Sequence, residues 1–307
     1  MVNLTHLDDP LFDGADATKR DLIDYLEAVA DRLVGQLRDR PLSVIRVRAG
    51  QKPFMQKNLP DYAPDWIKSV TMWAQSSSRE VRYALCDDTQ TLIWFGNQRA
   101  VEYHPTLSLA GSLDRPSYLV LDIDPPPGDA FSKAVGAARL VQRALSDSAL
   151  TGAVKTSGSK GVHIYVPVDA SVEDAAAATR AIAARAEQLD PGLATTAFIK
   201  ADRGGKVFID STRAGGATVV AAYSPRVRPG APVSFPVPWD SLEGVSPSDF
   251  TMRTAPELLG DTDPWADALP KPQQLPASLL EEGHAIPIAR VQAMHEGKRR
   301  KRASGSA

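Results

Sequence analysis

Two aspartates, two residues apart, close an apolar run in "YLVLDIDPPPG" (118–128). On a β-strand, residues i and i+2 share a face. Tyr118, Val120, Asp122 and Asp124 therefore line one side, and Leu119, Leu121 and Ile123 the other. Both carboxylates project together near the strand's C-terminal end. Carboxylates this close repel, and each pKa rises unless a cation sits between them. A divalent metal meets that need, and hard oxygen donors suit Mg²⁺ or Mn²⁺, held by one or two carboxylates plus substrate phosphates. Asp-x-Asp alone is a weak signal: it is equally the solvated end of an ordinary strand, and sugar-nucleotide transferases carry it too.

Two further stretches add chemistry. In "KTSGSKGVHIYV" (155–166), Ser157, Gly158, Ser159, Lys160 and Gly161 form a turn of small residues whose backbone N–H groups can face an anion. Lys160 supplies a point charge for phosphate. His163 opens the next strand, on the opposite face from Val162 and Ile164. The Walker A pattern is absent. In "RGGKVFID" (203–210), Asp210 is a third strand-end carboxylate, beside Arg203 and Lys206. Three carboxylates complete the donor set of a two-metal site, in which two ions activate an attacking oxygen and stabilise a leaving one. Arginines offset the charge of a triphosphate.

Several elements must position these groups. A helix starting at Thr18 carries Leu22, Leu26, Val29, Leu33 and Leu37 on one face. Strand patterns occupy 41–50, 118–124, 161–167, 206–210 and 217–224, the last two forming an apparent hairpin across "STRAGG". An apolar, aromatic segment covers 91–105. Helical spacing follows in Ala134, Val135, Ala138, Val141 and Leu145, and Ser171 with Asp174 forms a capping box before an alanine-rich helix. The proline-rich stretch 263–276 reads as a surface strap. This mixture predicts an α/β or α+β fold with a partly antiparallel sheet. The 307 residues, 43% hydrophobic and 23% charged, describe one compact unit, with two lobes, ending near 292. No stretch reads as a signal peptide or membrane span. The single cysteine, Cys86, excludes an internal disulfide framework and fits a reducing cytoplasm. Net charge is −2, but "KRRKR" at 298–302 contributes five positive charges, so the body is acidic and any nucleic-acid contact there must be local. The tail is equally a solvated end or a nonspecific phosphate-binding arm.

The ordered set "LVLDIDP", "TSGSKGVHIYVP" and "VFIDSTRAGGATVVAAYSPRVRPGAPVSFPVPWDSL" resembles the polymerase domain of bacterial ligase D, in the archaeo-eukaryotic primase superfamily. "FMQKNLPDYAPDWIKSV" and "LIWFGNQRAVEYHP" extend the resemblance over most of residues 4–270. It implies an α+β primase-like catalytic core with mixed, partly antiparallel sheets flanked by helices. The domain would span 1–292, with an N-terminal lobe over 1–115, a metal-site core over 116–255, a strap to 292, and a basic disordered tail over 293–307. It implies template-directed nucleotidyl transfer in the bacterial cytoplasm or nucleoid, filling short gaps or extending primers in DNA repair, with a liking for ribonucleotides. The implied cofactors are two divalent ions, Mn²⁺ or Mg²⁺, on Asp122, Asp124 and Asp210. The implied partners are template-primer or gapped DNA, nucleoside triphosphates, a separate DNA ligase and end-binding repair proteins. By position, Ser157, Lys160 and His163 match the motif that contacts nucleotide phosphates. Arg203 and Arg226 match basic residues around the triphosphate, His104 a histidine near the ribose, and Phe54 the first of two stacking phenylalanines. Lys57 follows in that motif, and Lys19 is what remains of a 5′-phosphate pocket. No ligase or nuclease segment is recognisable, which reads as a stand-alone member.

Three positions depart from the family pattern. Met55 replaces the second phenylalanine. In "HLDD" (6–9), His6 stands for an asparagine and Asp9 for a lysine. A carboxylate in a phosphate pocket is repulsive, which predicts weak or altered recognition of a downstream 5′-phosphate. A de novo primase shares the same triad and stays open, as does a nucleic-acid-binding module with an unused catalytic cluster. A sugar-nucleotide transferase would leave "TSGSKGVH" and Asp210 without a role.

Overall fold

The computed structural model describes residues 2–48, 50–74, 79–128, 131–214 and 217–288; the basic run at 298–302 lies outside them. In chain order the elements are α1 (Lys19–Ala28), α2 (Ala30–Leu37), β1 (Pro41–Arg46), β2 (Phe54–Gln56), β3 (Ser69–Ala74), β4 (Arg79–Leu85), α3 (Thr89–Asn97), β5 (Ala100–Pro105), β6 (Ser108–Leu109), β7 (Ser112–Pro116), β8 (Tyr118–Asp124), α4 (Phe131–Ser146), β9 (Ala153–Thr156), β10 (Val162–Pro167), α5 (Val172–Leu189), β11 (Ala194–Thr195), β12 (Val207–Asp210), α6 (Ala255–Leu259), α7 (Pro264–Ala268) and α8 (Ala277–Ala285). The fold is α+β. The chain forms two compact units, both discontinuous: the first takes Met1–Leu113, Ala153–Lys160 and Gly216–Ala268, the second Asp114–Gly152, Gly161–Gly215 and the chain from Leu269.

In the first unit, β1 pairs antiparallel with β2, β4 and β5, and β4 pairs with β3. Thr18 caps α1 with a reciprocal box: its hydroxyl accepts from Asp21 N, and its own N–H donates to the Asp21 carboxylate. The expected apolar stripe is there, with Leu22, Leu26, Val29, Leu33 and Leu37 fully buried, but the helix breaks at Val29, which ends α1 and begins α2. The 91–105 segment resolves into α3, capped by Asp88, and then β5.

The expected hairpin does not form. β12 pairs antiparallel with β8 and parallel with β11. Residues 217–224 instead hydrogen-bond to β5, from Val219 N to Pro105 O and Ala221 N to Tyr103 O, until Tyr223 turns left-handed (φ 68°). Apolar alternation marked this segment as sheet-like but carried no information about its partner. The proline-rich stretch is also no surface strap throughout: Trp265, in α7, is 1% exposed and donates Nε1–H to Gln36 Oε1 at 2.9 Å.

In the second unit the strands run β11-β12-β8-β10, with β8 antiparallel to both neighbours. Leu119, Leu121 and Ile123 are fully buried on one face of β8. α4 and α5 pack against this sheet. Ser171 Oγ caps α5 by accepting from Asp174 N. The alanines of α5 leave room for α8 to approach closely, with Arg185 of α5 ion-paired to Glu282 of α8 at 2.6 Å. Among the described residues, no helix is long and apolar enough to cross a membrane.

Candidate active site: two charge clusters

The pairing of β12, β8 and β10 sets Asp210, Asp122 and His163 in one row, each directly opposite the next. All three are buried, at 5%, 7% and 5% exposure. Like charges facing each other across a ladder destabilise it. Arg213 offsets them here: its Nη2 lies 2.6 Å from Asp122 Oδ2 and 3.1 Å from Asp210 Oδ2. Asp124, at the end of β8, also acts on the Arg213 charge, so one guanidinium answers three carboxylates. His163 Nε2 sits 3.2 Å from Asp122 Oδ1. Burial pushes the Asp122 carboxyl up, but His163 and Arg213 beside it outweigh burial and hold it well below the usual carboxylate range. Asp210 accepts from both the amide (2.8 Å) and the hydroxyl (2.6 Å) of Thr212. Gly161 opens β10 against this edge; a Cβ there would lie 2.3 Å from Ile123 O, so a side chain cannot fit without moving the strand that carries the aspartates.

Among the described residues, no three His, Cys, Asp or Glu side chains are gathered so as to enclose an ion on their own. The donor set nevertheless fits a hard divalent cation: two buried carboxylates face each other around a cationic group and a third stands at the same strand end. The Nε of Arg213 is itself buried with no hydrogen-bond partner among the described residues, so the guanidinium satisfies the carboxylates better than they satisfy it.

The second cluster belongs to the first unit and surrounds Glu102, which is 6% exposed. On β5, Glu102 and His104 share a face, and His104 Nε2 lies 2.8 Å from Glu102 Oε2. Arg226 Nε lies 3.1 Å from the same oxygen, and the Val227 amide donates to Oε1 at 2.9 Å. Arg226 also donates through Nη1 to the Ser157 carbonyl, in the Ser-Gly-Ser-Lys turn. The turn fits beneath Arg226 because residue 158 is glycine: φ is +66°, and a Cβ would lie 2.6 Å from Arg226 Cγ and 2.8 Å from Ser234 N. Lys155, fully buried, donates to Ser234 Oγ. Burial raises the Glu102 carboxyl, but His104, Arg226 and the Val227 amide bring it down to about 2. For His104, burial is the largest influence and lowers its pKa; Glu102 opposes this, and Arg226 and Lys155 reinforce it.

The other expected residues are spread out. Lys160 is exposed at the end of its turn. Arg203 belongs to the second unit, where it lies over the Phe208 ring at 3.6 Å and donates to the Ala197 and Phe198 carbonyls. Phe54, in β2, has the Arg48 guanidinium 5.0 Å from its ring centre; the adjacent Met55 is 45% exposed. Lys57 is half-buried. Lys19, expected to contact DNA, is 2% exposed and its ammonium donates to the Thr5 carbonyl, so it does not present a free charge to phosphate. Asp9 lies 3.7 Å from Arg99 and 3.9 Å from His6. A cleft of about 690 Å³ beside it is lined by Asp9, Asp13, Arg48, Lys52, Arg99 and Arg228 among others.

Two residues at the heart of these clusters, Arg213 and Glu102, were not picked out from the sequence. Arg213 lies within "STRAGG", which reads as a turn. Glu102 was legible in principle: it stands two residues before His104 in a strand, the same spacing that pairs Asp122 with Asp124.

This α+β build matches that of a polymerase domain. The family model for the LigD primase-polymerase domain matches residues 18–265, and the chain belongs to that family, whose chemistry is nucleotidyl transfer. The bifunctional non-homologous end joining protein LigD of Bacillus subtilis (strain 168) is 33% identical over 287 residues, covering 91% of this chain and 46% of the relative. The multifunctional non-homologous end joining DNA repair protein LigD of Mycobacterium tuberculosis is 34% identical over 255 residues, covering 79% and 33%. The chain thus spans less than half the length of these relatives. Among solved structures, the polymerase domain from Mycobacterium tuberculosis ligase D in complex with DNA matches with a TM-score of 0.79 at 30% identity, over 87% of this chain and 98% of that one.

Proposed function

We propose that this chain is a templated nucleotidyltransferase that extends primers or fills short gaps in DNA during end joining, using nucleoside triphosphates and favouring ribonucleotides. The observation that carries the reading is the buried row Asp210–Asp122, two carboxylates in direct register with a single guanidinium between them. Asp122, Asp124 and Asp210 would hold two divalent ions, Mn²⁺ or Mg²⁺, which when bound lower the pKa of a primer 3′-hydroxyl and offset charge on the leaving pyrophosphate. His163 holds Asp122 in its ionised form. Arg226, Lys160 and the amides of the Ser157 turn would bind the triphosphate, and Arg213 balances the carboxylates. His104 faces the sugar, and Phe54 supports a base. DNA would be held mainly through phosphates, by basic groups such as Arg48, Lys52 and Arg228, so binding weakens with salt and shows little sequence preference.

Recognition of a downstream 5′-phosphate is weak in this reading. Lys19 is committed to Thr5 and Asp9 partly neutralises Arg99. The test is incorporation of labelled ribo- and deoxyribonucleotides with Mn²⁺ or Mg²⁺ on a gapped duplex, with and without the 5′-phosphate, and on an unprimed strand. Extension indifferent to the phosphate is expected. Strong dependence on it overturns the account of Asp9 and Lys19. No incorporation on any substrate, with DNA still bound, makes the chain a binding module.

A further inference from the structure

Glu102 has no role in the transfer chemistry proposed above, yet it organises everything around it. Four features define it. It is buried on the same strand face as His104. One of its oxygens is shared by a histidine and an arginine. The other accepts a backbone amide next to that arginine. The arginine in turn holds the carbonyl of Ser157.

A carboxylate accepts hydrogen bonds and donates none. The 2.8 Å contact therefore requires the proton of His104 to sit on Nε2. Burial lowers the pKa of His104, with Arg226 and Lys155 acting the same way and Glu102 opposing, so the net shift favours the neutral ring. Its other nitrogen, Nδ1, is then a lone-pair acceptor, suited to a hydroxyl donor and unsuited to a phosphate oxygen. Arg226 has the opposite character: it keeps its charge, its Nε is drawn to Glu102, and its donors suit phosphate. One carboxylate thus fixes an acceptor and an anion-binding cation on the same frame.

We propose that Glu102 is the positioning residue for nucleotide selection: it locks His104 as the Nε2–H tautomer, so that Nδ1 accepts from a sugar hydroxyl, and it orients Arg226 toward phosphate through the Ser157 turn. This rests on the nucleotidyltransferase reading and deepens it, because the substrate favoured is the one whose sugar carries the extra hydroxyl. A site built to hydrogen-bond a hydroxyl discriminates strongly against the analogue lacking it. Glu102→Gln preserves size but supplies an amide that can either donate to or accept from Nε2, which releases the tautomer and withdraws the charge from Arg226.

Two measurements test this. The first is ¹⁵N NMR of the His104 ring in the full chain, without nucleotide or metal. The Nε2–H tautomer is expected in the wild type and a mixed or inverted population in Glu102→Gln; a wild-type ring protonated on Nδ1 overturns the proposal without any variant. The second is single-nucleotide incorporation of ATP and dATP opposite thymine in a gapped duplex. In Glu102→Gln, the KM for ATP should rise about tenfold, that for dATP less, with kcat changed only slightly. A folded variant with the wild-type KM and the wild-type ATP-to-dATP ratio overturns the proposal. A residue that merely stabilises the fold would shift the melting temperature and leave that ratio alone. If the wild type incorporates neither nucleotide, the nucleotidyltransferase reading fails, and the tautomer still tests the positioning.

Discussion

The two charge clusters use the same materials in opposite proportion. In the second unit, Asp122 and Asp210 share one guanidinium, with Asp124 adding a third negative charge at the strand end. In the first unit, one carboxylate, Glu102, is shared by Arg226 and His104, with the buried Lys155 also acting on His104. The first arrangement has negative charge in excess, three carboxylates against one guanidinium. The second has positive charge in excess, from Arg226 and Lys155 against Glu102. Burial sharpens both demands, because an unbalanced charge is costly in a low-dielectric setting. The imbalance in each cluster is the basis of the ligands proposed for them, a divalent ion for the carboxylate row and a phosphate for the Glu102 cluster.

The largest effect should come from the excess negative charge itself. Asp122→Ala is expected to lower nucleotide incorporation by about a thousandfold or more while DNA binding, read by gel shift, stays close to wild type. Retained synthesis would end the assignment of the carboxylate row to catalysis.

Next comes the cation that stands among those carboxylates. Arg213→Ala leaves Asp122 and Asp210 facing each other with that charge unbalanced. Denaturant unfolding in chelator should show a loss of about 3 kcal/mol, as for other broken buried ion pairs. Added Mn²⁺ should recover more stability in the variant than in the wild type. Equal Mn²⁺ responses would mean that guanidinium and metal do not answer the same charge.

The Glu102 cluster has its own signature in acid. Its carboxyl sits at about 2, below the ordinary 4.5, so its stabilisation is fully present above pH 4.5 and is lost as pH falls toward 2. That limb is worth on the order of 3 kcal/mol. Glu102→Gln lacks it, so the stability gap between wild type and variant should narrow steadily over that window. A gap independent of pH would show that Glu102 contributes by shape and not by charge.

The smallest effect is at Gly158. Alanine there must adopt φ +66° and move Arg226 or the Ser234 backbone. A loss of about 1–3 kcal/mol is expected in thermal unfolding, together with weaker triphosphate binding. Unchanged binding would separate the Ser157 turn from the phosphate role proposed for Arg226.

Much of this was legible in the chain. Period-two alternation placed Asp122 and Asp124 on one face of a strand, capping chemistry started α1 at Thr18, and Asp210 stood at the end of a short apolar run. These are local properties, set by φ/ψ sterics and by which neighbours a side chain has along its own segment. Which strands lie side by side, and in what register, is a long-range property. Sequence alternation said that 217–224 was sheet-like but not that it would run beside β5, and it could not show that Asp210 faces Asp122, or that Arg213 reaches back 91 residues to the same carboxylate. The return of Ala153–Lys160 and Gly216–Ala268 to the first unit is likewise invisible along the chain. Residue types and spacing thus determined which groups can do chemistry. Only the tertiary structure decided which charges meet, because Coulomb and hydrogen-bond energies depend on distance in space and burial, not on separation along the backbone.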